Sequence, residues 1–264
     1  MCGISGFFHP GRDFTKEQGF YESVLTSMNR AQKRRGPDDQ GIFLSEHFGL
    51  GHVRLSIVDL LTGSQPMKKT RNGHTWGIVY NGELYNTEEL RKDLARKGHC
   101  FETTSDTEVI LSAYLEYGPD FVRLLNGVFA FAIMDPVKNR LMLCRDRAGV
   151  KPLFYTSTDG HVVFSSEIKG LFCFPGIKPK LDKRGLNEIF SIGPARTSGQ
   201  GIFKDILEVL PGHYLLFSDS GIHEECYWKL ESHPHEECYE DTVEKTAFLI
   251  EDSIRRQMVS DVPI

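Results

Sequence analysis

The sequence predicts an α+β layered fold, with largely antiparallel sheets and helices packed outside them. Short apolar runs at 128–134, 141–145, 153–156 and 162–165 are separated by turns such as Asp135-Pro136 and Asp159-Gly160. Helical patterns flank this block in sequence and do not alternate with its strands. That arrangement argues against a doubly wound parallel sheet.

The elements follow in order. Residues 3–8 (GISGFF) read as a short buried strand with Cys2 at its exposed end. A helix is expected over 15–34, where Phe20, Val24, Leu25 and Met28 recur near a 3.6 period. Gly36-Pro37 breaks it. Runs at 41–44 and 48–58 suggest a hairpin, and 76–80 is a strand leading into Asn81-Gly82-Glu83. Asn86 or Thr87 caps a helix over 88–97, with Glu88 and Glu89 favourable in its first turn. A second helix starts near Ser105 and runs to Tyr117. Its Ser105-x-x-Glu108 spacing fits a capping box, which leaves Asp106 as a helix N-terminal carboxylate. A helix near 182–190 and a hairpin near 208–228 follow. Residues 231–237 (ESHPHEE) read as a linker or loop. An amphipathic helix over 239–258 carries Val243, Phe248, Leu249, Ile250 and Ile254, and the chain ends in mid-pattern without a clear cap.

A chain of 264 residues, 40% hydrophobic and 25% charged, can bury a full core. Its net charge of −5 argues against a nucleic-acid partner. No segment is long and apolar enough to span a membrane, and the N-terminus lacks a secretory pattern. Six irregularly spaced cysteines read as cytosolic thiols, so a cytoplasmic location is expected.

Cys2 follows the initiator methionine and is small enough to permit its removal. The freed α-amine, with a pKa near ~8, can then serve the thiol as its base. Position alone favours a chance cysteine on a buried strand. Asn81-Gly82 reads first as a hairpin turn, the alternative being an oxyanion hole from the Asn81 amide and the Gly82 N–H. Arg54 is either a solvated edge residue or a bidentate carboxylate clamp. Glu83 and Asp106 are a surface charge and a helix cap, or receivers of a substrate ammonium. The run Lys33-Arg34-Arg35 reads as a solvated helix end, with anion binding as the alternative. Cys226, His233, His235 and Cys238, preceded by His213 and His223, match no standard zinc spacing, and no metal is expected.

Taken jointly, MCGISGFF, RRGPDDQG, GHVRLSIVD, QPM, YNGELYN, TTSDTEVIL, NGVFAFAIMD, RDRAGVKPLFY and FSSEIKGL resemble the class II glutamine amidotransferase domain of glutamine-hydrolysing asparagine synthetases. These segments cover most of residues 2–171. The resemblance implies an N-terminal-nucleophile hydrolase fold, a four-layer αββα sandwich. It implies that Cys2 attacks the side-chain amide of glutamine, releasing ammonia and then glutamate through a thioester. Arg54 would hold the α-carboxylate, and Leu55, Ile57 and Val58 would line the site. Asn81 and Gly82 would form the oxyanion hole, and Glu83 and Asp106 would hold the α-amine. Ala148 departs from the larger residue usual in RDR-x-G, away from the catalytic set.

The resemblance also implies an organisation: a glutaminase domain over 2–230, then a linker and the first helix of a synthetase domain over 231–264. Ser260-Asp261-Val262-Pro263 would lead into a pyrophosphate loop that the chain does not reach, so a truncated or isolated domain is expected. ATP and magnesium belong to that missing half, and no cofactor is expected in this chain. Ammonia would pass to the synthetase half, and a homodimer stays open. Competing readings are an asparagine-synthetase-like enzyme with another acceptor and a non-catalytic regulatory domain. The joint presence of Cys2, Arg54, Asn81, Gly82, Glu83 and Asp106 counts against the latter. With Met1 in place the chain is expected to be a precursor.

Overall fold

The computed structural model describes residues 1–56, 62–193 and 197–258. Twelve strands among these residues form two six-stranded sheets, each antiparallel throughout. The first holds β1 (Gly3–Phe8), β2 (Asp39–Leu44), β3 (Phe48–Arg54), β8 (Phe154–Thr158), β9 (His161–Ser165) and β10 (Leu207–Glu208), in the order β10-β8-β9-β1-β3-β2. The second holds β4 (Met67–Arg71), β5 (His74–Leu84), β6 (Gly127–Asp135), β7 (Arg140–Arg145), β11 (His213–Ser218) and β12 (Gly221–Cys226), in the order β12-β11-β7-β6-β5-β4.

Strand alternation sets the layers, because successive side chains leave a sheet on opposite faces. In β6, Ala130, Ala132 and Met134 join Ile4, Phe8, Leu50 and Phe164 in a core between the two sheets. Their neighbours Phe129, Phe131 and Ile133 point outward, against α2 (Thr87–Arg96) and α3 (Asp106–Tyr117), through Leu94, Val109, Ile110 and Tyr114. In β1, Phe7 points the other way from Ile4 and Phe8. It packs under α1 (Gln18–Ala31) and the short α4 (Ile168–Leu171), against Tyr21, Leu25, Met28 and Phe174. The result is the expected αββα sandwich.

Several local expectations are corrected. The helix expected over 15–34 begins as a 3-10 turn, Phe14–Glu17, and α1 stops at Ala31. The strand expected to reach residue 58 ends at Arg54. The strand expected over 76–80 runs on to Leu84, so Asn81-Gly82 is not a hairpin turn. It lies inside β5, opposite Ala130 and Phe129. The capping box does not close. Ser105 accepts from Thr107 N–H, while Glu108 turns back to accept from Glu102 N–H, Thr103 N–H and Lys69. α5 (Lys183–Asn187) continues as a π turn to Ile192. α6 (Tyr239–Gln257) buries none of its residues. Val243, Phe248, Leu249, Ile250 and Ile254 on it are all exposed.

Candidate active site

The site lies where the ends of β1, β3 and β5 meet the N-terminus of α3. In the β1–β3 register Gly3 faces Val53, and one further step brings Cys2 beside Arg54. Leu55 N–H donates to Cys2 Sγ at 3.5 Å, and the thiol faces Leu55 O at 3.6 Å. Arg35 Nε donates to Cys2 O at 2.8 Å, and its Nη1 lies 3.6 Å from Glu167. Arg35 is therefore not the solvated helix end its neighbours suggest: it fixes the backbone of the cysteine. Gly36 lets this segment sit against β3. A Cβ there would lie 2.3 Å from the backbone of Val53 and Arg54.

Opposite Cys2 stands β5. Asn81 is 1% exposed, and its Nδ2 has no hydrogen-bond partner among the described residues. A buried, unpaired amide costs about 1–3 kcal/mol, so a ligand acceptor is the natural partner. Gly82 is required sterically, since a Cβ would come within 2.5 Å of Val128 O. Its peptide direction follows from the ladder. Phe129, its partner on β6, donates its N–H to Asp146 Oδ2 and accepts from Asp146 N–H, on the far side of β6. In an antiparallel pair that leaves Gly82 N–H pointing away from β6, toward the pocket.

Glu83 and Asp106 complete the wall. Asp106 is clasped by Tyr80 Oη at 2.9 Å and Leu84 N–H at 3.2 Å, so it braces the strand as well as opening α3. Burial raises its pKa, and the hydrogen bonds from Tyr80, Leu84 and Thr107 oppose that rise. Burial also raises Glu83, helped by the charge of Asp106 and opposed by Lys151. Two carboxylates held above their ordinary values have an unmet demand for a cation. Burial pushes the Cys2 thiol up, while the Leu55 amide and the adjacent α-amine pull it back. Burial lowers the pKa of that α-amine, which here belongs to Met1.

One pocket brings together Cys2, Arg54, Leu55, Asn81, Gly82, Glu83 and Asp106. Ile57 and Val58 lie outside the described residues. Sequence reasoning assigned nothing to five others that line the same pocket: Gly63, Gln65, Tyr80, Thr107 and Lys151. Gln65 and Lys151 fall inside the QPM and RDRAGVKPLFY segments, and Tyr80 directly precedes Asn81, so adjacency was the available signal. The Asp146 carboxylate accepts from the amides of Ala148, Val150 and Lys151 and so sets the loop that delivers Lys151. The Cys/His group near the end of the chain is dispersed into separate bonds. Cys226 faces Trp228 O, His235 bonds Thr242, and Cys238 caps α6.

Residues 1–228 match the family described as "Glutamine amidotransferase domain". The chain is 47% identical over its full length to asparagine synthetase [glutamine-hydrolyzing] 3 of Bacillus subtilis, covering 42% of that protein. It is 35% identical, again over its full length, to the amidase chyE of Penicillium rubens, covering 40% of it. The chain thus spans about two fifths of the length of these curated relatives. Its fold is like that of the glutamine phosphoribosylpyrophosphate amidotransferase from B. subtilis, with a TM-score of 0.59 at 21% identity, over 86% of this chain and 49% of that one. Match, fold and site geometry lead to one conclusion: the chain belongs to the glutamine amidotransferase domain family.

Proposed function

We propose that this domain hydrolyses glutamine to glutamate and ammonia at Cys2. The observation that carries the reading is the buried Nδ2 of Asn81, unpartnered among the described residues, on a residue that lines the same pocket as Cys2. An oxyanion formed on a carbonyl attacked by Cys2 would give that donor its missing acceptor.

The mechanism starts with loss of Met1, which frees the Cys2 α-amine. The amine takes the thiol proton, and the thiolate adds to the glutamine Cδ. The oxyanion is received by Asn81 Nδ2 and Gly82 N–H. The α-ammonium returns its proton to the departing nitrogen, so ammonia leaves and a thioester remains. The amine then takes a proton from water, the resulting hydroxide cleaves the thioester, and glutamate leaves with the thiol restored. Arg54 presents a planar fork to the α-carboxylate, and Glu83 and Asp106 receive the α-ammonium. Leu55 lines the thiol's other side, and Ile57 and Val58 continue that segment in sequence.

In the wider protein, the ammonia serves ATP- and magnesium-dependent conversion of aspartate to asparagine. Residues 2–230 form the glutaminase unit, and 231–264 hold the linker and first helix of the synthetase unit. α6, which buries none of its residues, supports this division. The amidase relative supports a second reading, in which the same chemistry serves another acceptor. Protein lacking Met1, verified by intact mass, should release glutamate from glutamine, and Cys2→Ala should abolish the release. Normal turnover by Cys2→Ala would falsify the mechanism. Asparagine formation by the full-length protein with glutamine, ATP, magnesium and aspartate decides between the acceptors.

A further inference from the structure

β4 covers only the first part of β5: its ladder ends where Met67 faces Ile78. Beyond that point no strand among the described residues pairs with this edge of β5, and side chains take its place. Gln65 Oε1 accepts from Tyr80 N–H at 2.6 Å. His52 Nε2–H, from β3 in the other sheet, donates to Tyr80 O at 3.1 Å. Asp106 takes Leu84 N–H on the same edge. The amide between these two, Gly82 N–H, is the one the pocket can use.

We propose that Gln65 and His52 are positioning residues for amide hydrolysis. They hold the Tyr80 N–H and C=O so that Gly82 N–H, two residues on, aims at the oxyanion beside Cys2. The inference rests on the Cys2 reading above. Both side chains are buried, and both reach across elements. Gln65 is itself held by donating from Nε2 to Thr107 Oγ1 at 3.3 Å, which links β5 to α3. His52 links β5 to the sheet that carries Cys2. Nucleophile and oxyanion donor sit on different sheets, so a strut between the sheets controls their separation.

Stability alone is a poor account of His52. Its Nδ1 is buried without a partner among the described residues, a cost an apolar side chain would avoid. Burial also holds its pKa down to about 4, so the ring is neutral at neutral pH and donates through Nε2–H.

The test uses protein lacking Met1, with His52→Leu, Gln65→Met and His52→Gln. Glutamine hydrolysis is compared with alkylation of the Cys2 peptide by iodoacetamide, followed by mass. In alkylation the thiolate displaces iodide directly at carbon, and no oxyanion forms. His52→Leu and Gln65→Met should lower kcat about 10- to 100-fold. KM and the alkylation rate should stay within about threefold of wild type. His52→Gln, which restores an N–H donor, should recover most of kcat. Thermal midpoints identify any variant that fails to fold, and the other position then carries the test. Equal losses in hydrolysis and alkylation, or an unchanged kcat in folded variants, overturn the proposal. A wild-type protein that alkylates at Cys2 but releases no glutamate overturns the Cys2 reading, and this inference with it.

Discussion

Asn81→Ala separates catalysis from folding at the centre of the site. The residue is 1% exposed and its Nδ2 is unpartnered among the described residues. The amide therefore contributes no hydrogen bond from this nitrogen to the free protein. Truncation removes a buried unsatisfied donor, whose burial costs about 1–3 kcal/mol, and this offsets the small cavity left behind. The thermal midpoint should change little. In the transition state the same atom gains a charged acceptor, and loss of one oxyanion donor costs about 2.7–4 kcal/mol, or ~10²–10³ in kcat. The contact strengthens only as charge develops, so KM should be nearly constant. Initial rates of glutamate release across a glutamine series give both constants, and a thermal melt gives the third quantity. A rise in KM at constant kcat would show that Asn81 binds the ground state, and the oxyanion assignment would then be wrong.

Three further outcomes follow from the same geometry. Arg54→Lys replaces a planar fork by a point charge at a buried position, and should raise KM for glutamine about 10- to 100-fold, measured from the same rate series. Glu83 has a raised folded pKa, first by burial and then by Asp106, so its stabilising contribution is full below the ordinary value of 4.5 and is lost as pH rises through the folded value. Glu83→Gln should therefore melt higher than wild type at neutral pH, with the difference closing toward pH 4, while KM rises; an unchanged gap across that range contradicts the sign. Gly36→Ala forces a Cβ into the backbone of Val53 and Arg54 and should cost about 1–3 kcal/mol by chemical denaturation, with reduced turnover as Cys2 loses its Arg35 support.

Short apolar runs made the inner strands of both sheets legible, because β1, β3, β6, β7 and β9 bury nearly every residue. The candidate residues were legible as residue types in ordered motifs. The local reading of Asn81-Gly82 failed for a definite reason. Turn preference is a short-range property, whereas β5 is held straight through Gly82 by its ladder with β6. The capping box failed similarly: Glu108 has Lys69 and two loop amides within reach, and these outweigh reciprocal capping of its own helix. Arg35 was misread because charge runs are usually solvated, and nothing local shows that Cys2 O lies beside it.

By itself, the sequence determined the layered fold class and the inventory of the site: a terminal thiol, a guanidinium, an amide beside a glycine, and two carboxylates. Periodicity and residue chemistry suffice for those. Tertiary structure decided which groups face one another and which backbone groups remain available. Gly82 N–H is available because β4 stops short and Phe129 turns its peptide groups to Asp146. Gln65 and His52 matter because they close that edge from distant parts of the chain. Such facts depend on hydrogen-bond directions across sheets, which no local pattern of side chains encodes.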